Sequence, residues 1–182
     1  QTQVNPVAGL TFETGLRALL RQDPDVIMVG ETRDGETAGI SVRAAITGHV
    51  VLSTLHTNNA ASSIVRLEDM GVETYLIANS LVGVVAQRLM RKVCPHCAQE
   101  IAATPEERAF LGEDIETVVR GRGCAKCNNT GYRGRIAVHE IFSVDAMLRR
   151  MISSRASMEE IEEYAREHQG MRTLKESGVR LV

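Results

Sequence analysis

The chain has 182 residues, 21 Lys plus Arg against 23 Asp plus Glu, a formal net charge of -2, and 43% hydrophobic residues of which few are aromatic. That length suits one domain plus an appendage and excludes a large multidomain assembly. The balanced charge supplies no global field for polyanions, so nucleic acid or an acidic membrane would need a local patch. The longest nearly apolar stretch, residues 76–86, is interrupted by Asn79 and Ser80 and falls far short of the roughly 18 residues of a membrane span. No charged-then-apolar leader opens the sequence, which points to the reducing cytosol, and a first residue of Gln1 rather than Met points to a piece of a longer protein.

The spacing of residues 16–21 predicts a helix that stops at Asp23-Pro24, because proline disfavours helix in the residue before it. Residues 26–29, Val-Ile-Met-Val, form a continuous apolar run of the kind buried on both faces of a parallel sheet, and it ends in Gly30-Glu31-Thr32-Arg33-Asp34. Residues 36–46 have helical period. After Gly48 a second apolar strand, residues 49–54, runs into a polar stretch that carries His56, Thr57, Asn58 and Asn59. Residues 60–70 and 75–90 are expected as two further helices, the second with Leu76, Ile77, Leu81, Val84, Val85 and Leu89 on one broad face. The order helix, strand, helix, strand, helix, helix indicates a parallel sheet. Neighbouring strand ends would then bring Glu31 and His56 together at the edge where open α/β sheets bind ligands. That pair suits phosphate hydrolysis: the glutamate to hold a magnesium through water or to orient an attacking water, the histidine to donate a hydrogen bond to a terminal phosphate. On spacing alone, a polar cluster at a strand end reads equally as a loop that caps the sheet.

The four cysteines form two C-x-x-C knuckles, Cys94-Pro95-His96-Cys97 and Cys124-Ala125-Lys126-Cys127. Each knuckle lets a tight turn aim two thiolates at one point, and two of them close a tetrahedral, all-cysteine site of the structural zinc kind. A closed site has no vacant position for substrate, so such a zinc folds its region rather than performing chemistry. Disulfides, free thiols, redox chemistry and an iron-sulfur cluster are the alternatives, and a cytosolic chain favours zinc over them. His96 reads as a residue outside the ligand set. The loop between the knuckles exceeds the usual roughly 15 to 20 residues, and residues 105–111 are expected as a short helix within it, with Gly112, Gly121 and Gly123 supplying turns.

Residues 135–142 alternate as a strand does, after turns allowed by Gly131 and Gly134. Arg133 and Arg135 make a small basic edge, either a contact to a neighbouring subunit or a nucleotide, or a solvated hairpin. Residues 145–152, 157–168 and 172–178 are expected as three short helices, the second with an acidic run (Glu159, Glu160, Glu162, Glu163) that reads as a solvated face or a contact to a basic partner. His139 and His168 read as structural.

The run Gln3-Val4-Asn5-Pro6, followed by residues 16–31 through Val26-Ile27-Met28-Val29-Gly30-Glu31, closely resembles the secretion ATPases that drive type II secretion and type IV pilus assembly, the general secretion pathway protein E-like superfamily. The resemblance covers essentially the whole chain. It implies an α/β fold: the C-terminal part of a RecA-like parallel sheet, followed by a tetracysteine zinc-binding segment and a small helical region. By that match the strand ending in Gly30-Glu31 is the Walker B element, with Glu31 coupled to magnesium and the attacking water. Residues 47–58 are similar to the family's histidine box, in which His56 faces the terminal phosphate of ATP and His49 lies nearer the start of the same strand. Gly30, Arg33, His49 and Thr57 are implied as nucleotide-binding. The knuckles, followed by Asn129-Thr130-Gly131-Tyr132-Arg133-Gly134-Arg135, resemble the zinc-bearing segment of the assembly and export members, with Cys94, Cys97, Cys124 and Cys127 as ligands.

The resemblance thus divides the chain into a partial ATPase core (1–92), a zinc-binding segment (93–135) and a C-terminal helical region (136–182). The function it implies is that of a cytoplasmic hexameric ATPase, with structural Zn2+ and with ATP and Mg2+ in the complete protein. Sites form between chains of the ring, which works at inner-membrane platform proteins, with no nucleic-acid partner and no membrane insertion of its own. Two departures stand out. Thr32 occupies a position that is usually aliphatic in the family. No G-x-x-x-x-G-K-[ST] loop is present, nor any Gly-Lys dipeptide, and the family's aspartate box would lie upstream of Gln1. The expectation is therefore a chain cut between the phosphate loop and the Walker B strand, which alone binds ATP poorly and does not turn over. The alternative is a non-catalytic, zinc-stabilised interaction module of a secretion or pilus machine. A zinc-ribbon nucleic-acid binder is disfavoured by the scarce aromatics and the negative charge.

Overall fold

The first helix, α1 (Phe12–Leu20), starts at a reciprocal cap: the Thr14 N–H donates to the Thr11 hydroxyl at 3.2 Å and the Thr11 N–H to the Thr14 hydroxyl at 2.9 Å. In this computed structural model, which describes residues 2–181, two strands follow, β1 (Val26–Val29) and β2 (Val50–Ser53). They pair in parallel with Val26 opposite Val50 and Val29 opposite Ser53. The crossover between them is α2 (Gly35–Ile46), which begins where the Asp34 carboxylate accepts the Thr37 N–H at 2.8 Å. Ile27 and Val29 point inward and pack with Leu16, Ile40 and Ala44, each large aliphatic worth about 1.5–3 kcal/mol once removed from water. The apolar runs suggested burial on both faces of the sheet. Instead, Val26, Met28, Val50 and Leu52 are each more than half exposed, because among the described residues no layer packs on that side.

Two helices come next, α3 (Ser62–Asp69) and α4 (Thr74–Ser80). The expected helix over 75–90 is corrected here: it stops at Ser80, Leu81 is already extended (φ -77, ψ 123), and Gly83–Val93 is a strand, β3, paired with β6 (Tyr132–Ser143). Val82, Val84 and Val85 are β-branched, and a pairing partner far along the chain overrides their helical spacing. The approach is close: a Cβ built on Gly83 would meet the Phe142 carbonyl oxygen at 3.1 Å.

Between the two knuckles lie β4 (Ala98–Ala102), α5 (Pro105–Leu111) and β5 (Thr117–Gly121). Only the helix was expected. The two strands are antiparallel, Ala98 opposite Gly121 and Ala102 opposite Thr117, so Gly121 closes a strand rather than supplying a turn. Beyond β6 come α6 (Ala146–Ser153), α7 (Met158–Gln169) and α8 (Leu174–Val179), close to the three helices expected.

The chain separates into two compact units, Gln1–Val85 with Ile141–Met171, and Ala86–Glu140 with Arg172–Val182. In the first, α6 packs on α4 through buried Leu148, Ile152, Ile77 and Ala78. Asp145 caps α6 by accepting the Met147 and Leu148 N–H groups at 2.9 Å each, and it also accepts the Tyr164 hydroxyl and Gln169 amide of α7 at 3.0 Å each. In the second, buried Glu140 accepts the Leu174 N–H at 3.1 Å, and the Ser177 hydroxyl donates to the His139 carbonyl at 2.8 Å, so α8 lies against β6. Among the described residues no helix is long and apolar enough to cross a membrane.

Candidate functional site

Because β1 and β2 run in parallel and in register, their carboxyl ends leave the sheet at the same edge. Three hydrogen bonds extend the pairing past the strands. The Thr32 N–H donates to the Thr54 carbonyl at 3.0 Å, the Thr54 hydroxyl donates to the Gly30 carbonyl at 2.7 Å, and the Thr32 and Ser53 hydroxyls lie 2.8 Å apart. Thr32 is buried at this seam, where both its N–H and its hydroxyl are taken up by hydrogen bonds across to β2 and its continuation. The polar residues ending both strands were visible in the sequence, but their mutual bonding was not.

This seam brings Glu31, Arg33 and His56 together. The Glu31 Oε1 atom lies 2.5 Å from His56 Nε2, and Oε2 lies 2.5 Å from Arg33 Nη2. The carboxylate is sheltered, with 20% of its side chain exposed, while Arg33 and His56 are exposed at 77% and 87%. The Arg33 hydrogen bond holds the Glu31 carboxyl below its ordinary range despite the opposing effect of burial, and the carboxylate in turn raises the guanidinium. Glu31 is therefore ionised at neutral pH. Its Oε1 is shielded from solvent and receives no well-directed hydrogen bond, an orphaned acceptor of the kind that a water or a water-bound cation would satisfy.

Gly30 lies at the same edge, with open space where a Cβ would stand. Thr57 is next to His56 in the chain, its hydroxyl 3.2 Å from Ser63 Oγ. His49 is elsewhere: it precedes β2, at the opposite end from Glu31, and its Nδ1 lies 3.0 Å from the Ala44 carbonyl and 3.2 Å from the Thr47 hydroxyl. It ties the start of β2 to the end of α2.

In the second unit the sulfurs of Cys94, Cys97, Cys124 and Cys127 all lie within 4.8 Å of one another. Three pairs stand at 3.7, 3.9 and 4.0 Å, close to the roughly 3.8 Å edge of a tetrahedron with metal–sulfur bonds of about 2.3 Å. The four thiols are not joined as disulfides. Each knuckle is a tight turn, with the Cys97 N–H donating to the Cys94 carbonyl at 3.2 Å and the Cys127 N–H to the Cys124 carbonyl at 3.1 Å. Backbone contact joins them: the Cys94 N–H donates to the Gly131 carbonyl at 2.9 Å and the Arg122 N–H to the Cys97 carbonyl at 3.1 Å. Burial pushes the Cys97 thiol up to about 11. In Cys127 burial acts the same way but is outweighed by backbone N–H groups of Cys124 and Gly131, which bring the thiol down to about 6. A donor set of four sulfurs at these separations fits a tetrahedral metal ion.

Comparison with known proteins gives a consistent result. The sequence pattern of the type II/IV secretion system protein family matches residues 1–182. The chain is 53% identical to the type IV pilus assembly ATPase PilB of Thermus thermophilus, over 98% of this chain and 21% of that protein. It is 52% identical to the type II secretion system ATPase E of Vibrio cholerae, over 91% of this chain and 34% of that protein. The chain thus spans about a fifth to a third of the length of these relatives. Among solved structures, the pilus retraction motor PilT with bound ADP matches with a TM-score of 0.60 and 27% identity, covering 92% of this chain and 42% of that one. A parallel strand pair with a carboxylate and an imidazole at its carboxyl edge, a four-cysteine cluster and a sequence match from end to end together place the chain in the type II/IV secretion system protein family.

Proposed function

We propose that this chain is the part of a secretion or pilus-assembly ATPase that carries its water-activating carboxylate, and that Glu31 and His56 act on ATP. The observation that carries this reading is the meeting of Glu31 and His56 at the carboxyl edge of a parallel strand pair, where open α/β sheets receive ligands. Glu31, kept ionised by Arg33, orients the attacking water as its base; His56 donates to the terminal phosphate, whose charge grows as the bond to the leaving group lengthens. Gly30, Arg33 and Thr57 border the same edge, and His49 serves by anchoring β2. Magnesium bound with ATP would supply neutralisation of the phosphate charge, and Glu31 is the residue that would hold it through water. The four cysteines hold a zinc ion that folds the second unit and takes no part in the chemistry.

The 182 residues contain no phosphate-cradling glycine-lysine loop, so the reading requires that loop from polypeptide outside this sequence, and the isolated chain binds ATP poorly and does not turn over. The uncovered Val26, Met28, Val50 and Leu52 face supports the same view, since it offers an apolar surface for further layers of the sheet. The names of the relatives support an ATPase of type II secretion or type IV pilus assembly; the hexameric ring on the cytoplasmic side of the inner membrane, working with platform proteins, is what the family resemblance implies for the complete protein. A non-catalytic, zinc-stabilised module would leave the sheltered, arginine-bound carboxylate without a purpose.

The test is steady-state ATP hydrolysis by the longer protein that includes the phosphate loop, beside its Glu31→Gln variant and the present chain. The expected result is a 10²- to 10⁴-fold loss of kcat in the variant and no turnover by the chain alone. A variant as fast as the parent would refute the role of Glu31.

A further inference from the structure

We infer that the two oxygens of Glu31 are held for different purposes: Arg33 is a positioning residue that grips Oε2 and aims the carboxylate, and His56 is an exchangeable cap that covers Oε1 until a terminal phosphate draws it away. The inference deepens the ATPase reading above and rests on it for what the carboxylate acts on; the contacts themselves stand without it.

A carboxylate that serves as base needs a free oxygen within about 2.6–3.2 Å of the proton it takes. Each oxygen of Glu31 meets a nitrogen at 2.5 Å, and Oε1, although it accepts no well-directed hydrogen bond, is closed to solvent with His56 against it. Water reaches Oε1 only when that contact opens, and the two partners are held very differently. Glu31 and Arg33 flank Thr32, which is buried and pinned across the seam by its N–H and its hydroxyl. The backbone that buries Thr32 therefore also holds Arg33 beside Glu31. The guanidinium adds a charge-assisted hydrogen bond to Oε2. Arg33 is thus built into the same short segment as the carboxylate it holds.

His56 comes from a different strand end, is 87% exposed, and approaches an oxygen that still lacks a well-directed donor. It makes the less satisfied contact of the two. A terminal phosphate carries more negative charge than one carboxylate and competes for the imidazole; when His56 turns to it, Oε1 is released to water. A nucleoside diphosphate offers no phosphate at that place and leaves Oε1 covered. Water activation is in this way tied to the presence of the group to be cleaved.

Two measurements test this. In the 182-residue chain, the His56 ring nitrogens are followed by NMR in the native sequence, in Glu31→Gln and in Arg33→Gln, with the His139 and His168 signals reporting that the fold persists. Glu31→Gln should shift the His56 signals, and an unshifted His56 would overturn the cap. In the longer ATPase, Arg33→Gln should lower kcat about tenfold or more with KM for ATP within about twofold, and Arg33→Lys should recover most of the loss. A raised KM with unchanged kcat would mean that Arg33 binds phosphate instead, and no change in either constant would overturn its positioning role. If the native longer protein hydrolyses no ATP, the ATPase reading fails on its own and the role assigned to Arg33 falls with it, while the NMR comparison still decides whether His56 caps Glu31.

Discussion

Withdrawing the metal from the four-cysteine cluster should melt the second unit and leave the first folded. The second unit has little else at its centre: its buried hydrophobic side chains among the described residues are Ala103, Val118, Val138 and three of the cysteines themselves, Cys94, Cys97 and Cys127. Sulfur separations of 3.7 to 4.0 Å already match a zinc tetrahedron, so loading requires little rearrangement and binding energy is retained as stability. A metal that binds only the folded state adds about 4.1 kcal/mol when free zinc is 1,000 times the dissociation constant. In domains of about 60–100 residues each kcal/mol moves the midpoint by about 4–8 °C, so the expected gain is about 16–33 °C. The assay is thermal unfolding followed by circular dichroism at buffered free zinc and with excess chelator, with the first unit's transition as internal reference. Affinity should rise with pH, because the ligands are thiolates and Cys97 in particular is pushed up to about 11 by burial. A midpoint indifferent to zinc and chelator, or protein prepared with zinc that retains none, would refute the structural role.

Gly121→Ala should destabilise the same unit by about 1–3 kcal/mol or more and weaken metal binding, because the new Cβ would lie 2.1 Å from the Gly131 carbonyl oxygen, a backbone atom that cannot swing aside; unchanged chemical denaturation would contradict the close approach. Asp145→Ala should cost about 0.5–2 kcal/mol through the lost α6 cap, with a further loss from the stranded Tyr164 and Gln169 donors. Hydrogen bonds, first that from the Leu148 N–H, hold the Asp145 carboxyl below its ordinary range. A lowered folded value means that the stabilisation is fully present above the unfolded value of about 3.9 and is lost as pH falls through the folded one. The gap between native and Asp145→Asn denaturation curves should therefore close toward acid, and a gap independent of pH would contradict it.

Much of the local structure was legible because it depends on neighbours in the chain. Thr104 and Glu107, like Ser157 and Glu160, stand three apart and form reciprocal caps at the starts of α5 and α7. The two apolar runs became β1 and β2, and the cysteine spacing anticipated one cluster. The failures share a cause. Residues 83–90 have helical periodicity, yet they pair with β6; β4 and β5 have weak strand patterns alone, yet they hold each other in register. Strand formation depends on a partner that a local window does not contain.

The candidate site divides along the same line. Glu31, Arg33 and His56 could be selected from the ends of apolar runs and from the family resemblance, because strand periodicity and motif order are properties of the sequence itself. The meeting of Glu31 with His56 was expected from the strand order; tertiary structure decided how they meet, because the parallel register of β1 with β2 and the buried Thr32 seam set one carboxylate between the Arg33 guanidinium and the His56 imidazole. It also decided the exposure of Val26, Met28, Val50 and Leu52, since an apolar residue's composition does not say whether a layer covers it. Short-range spacing determines which groups are available; only the packing of distant segments determines which of them meet, and which remain in water.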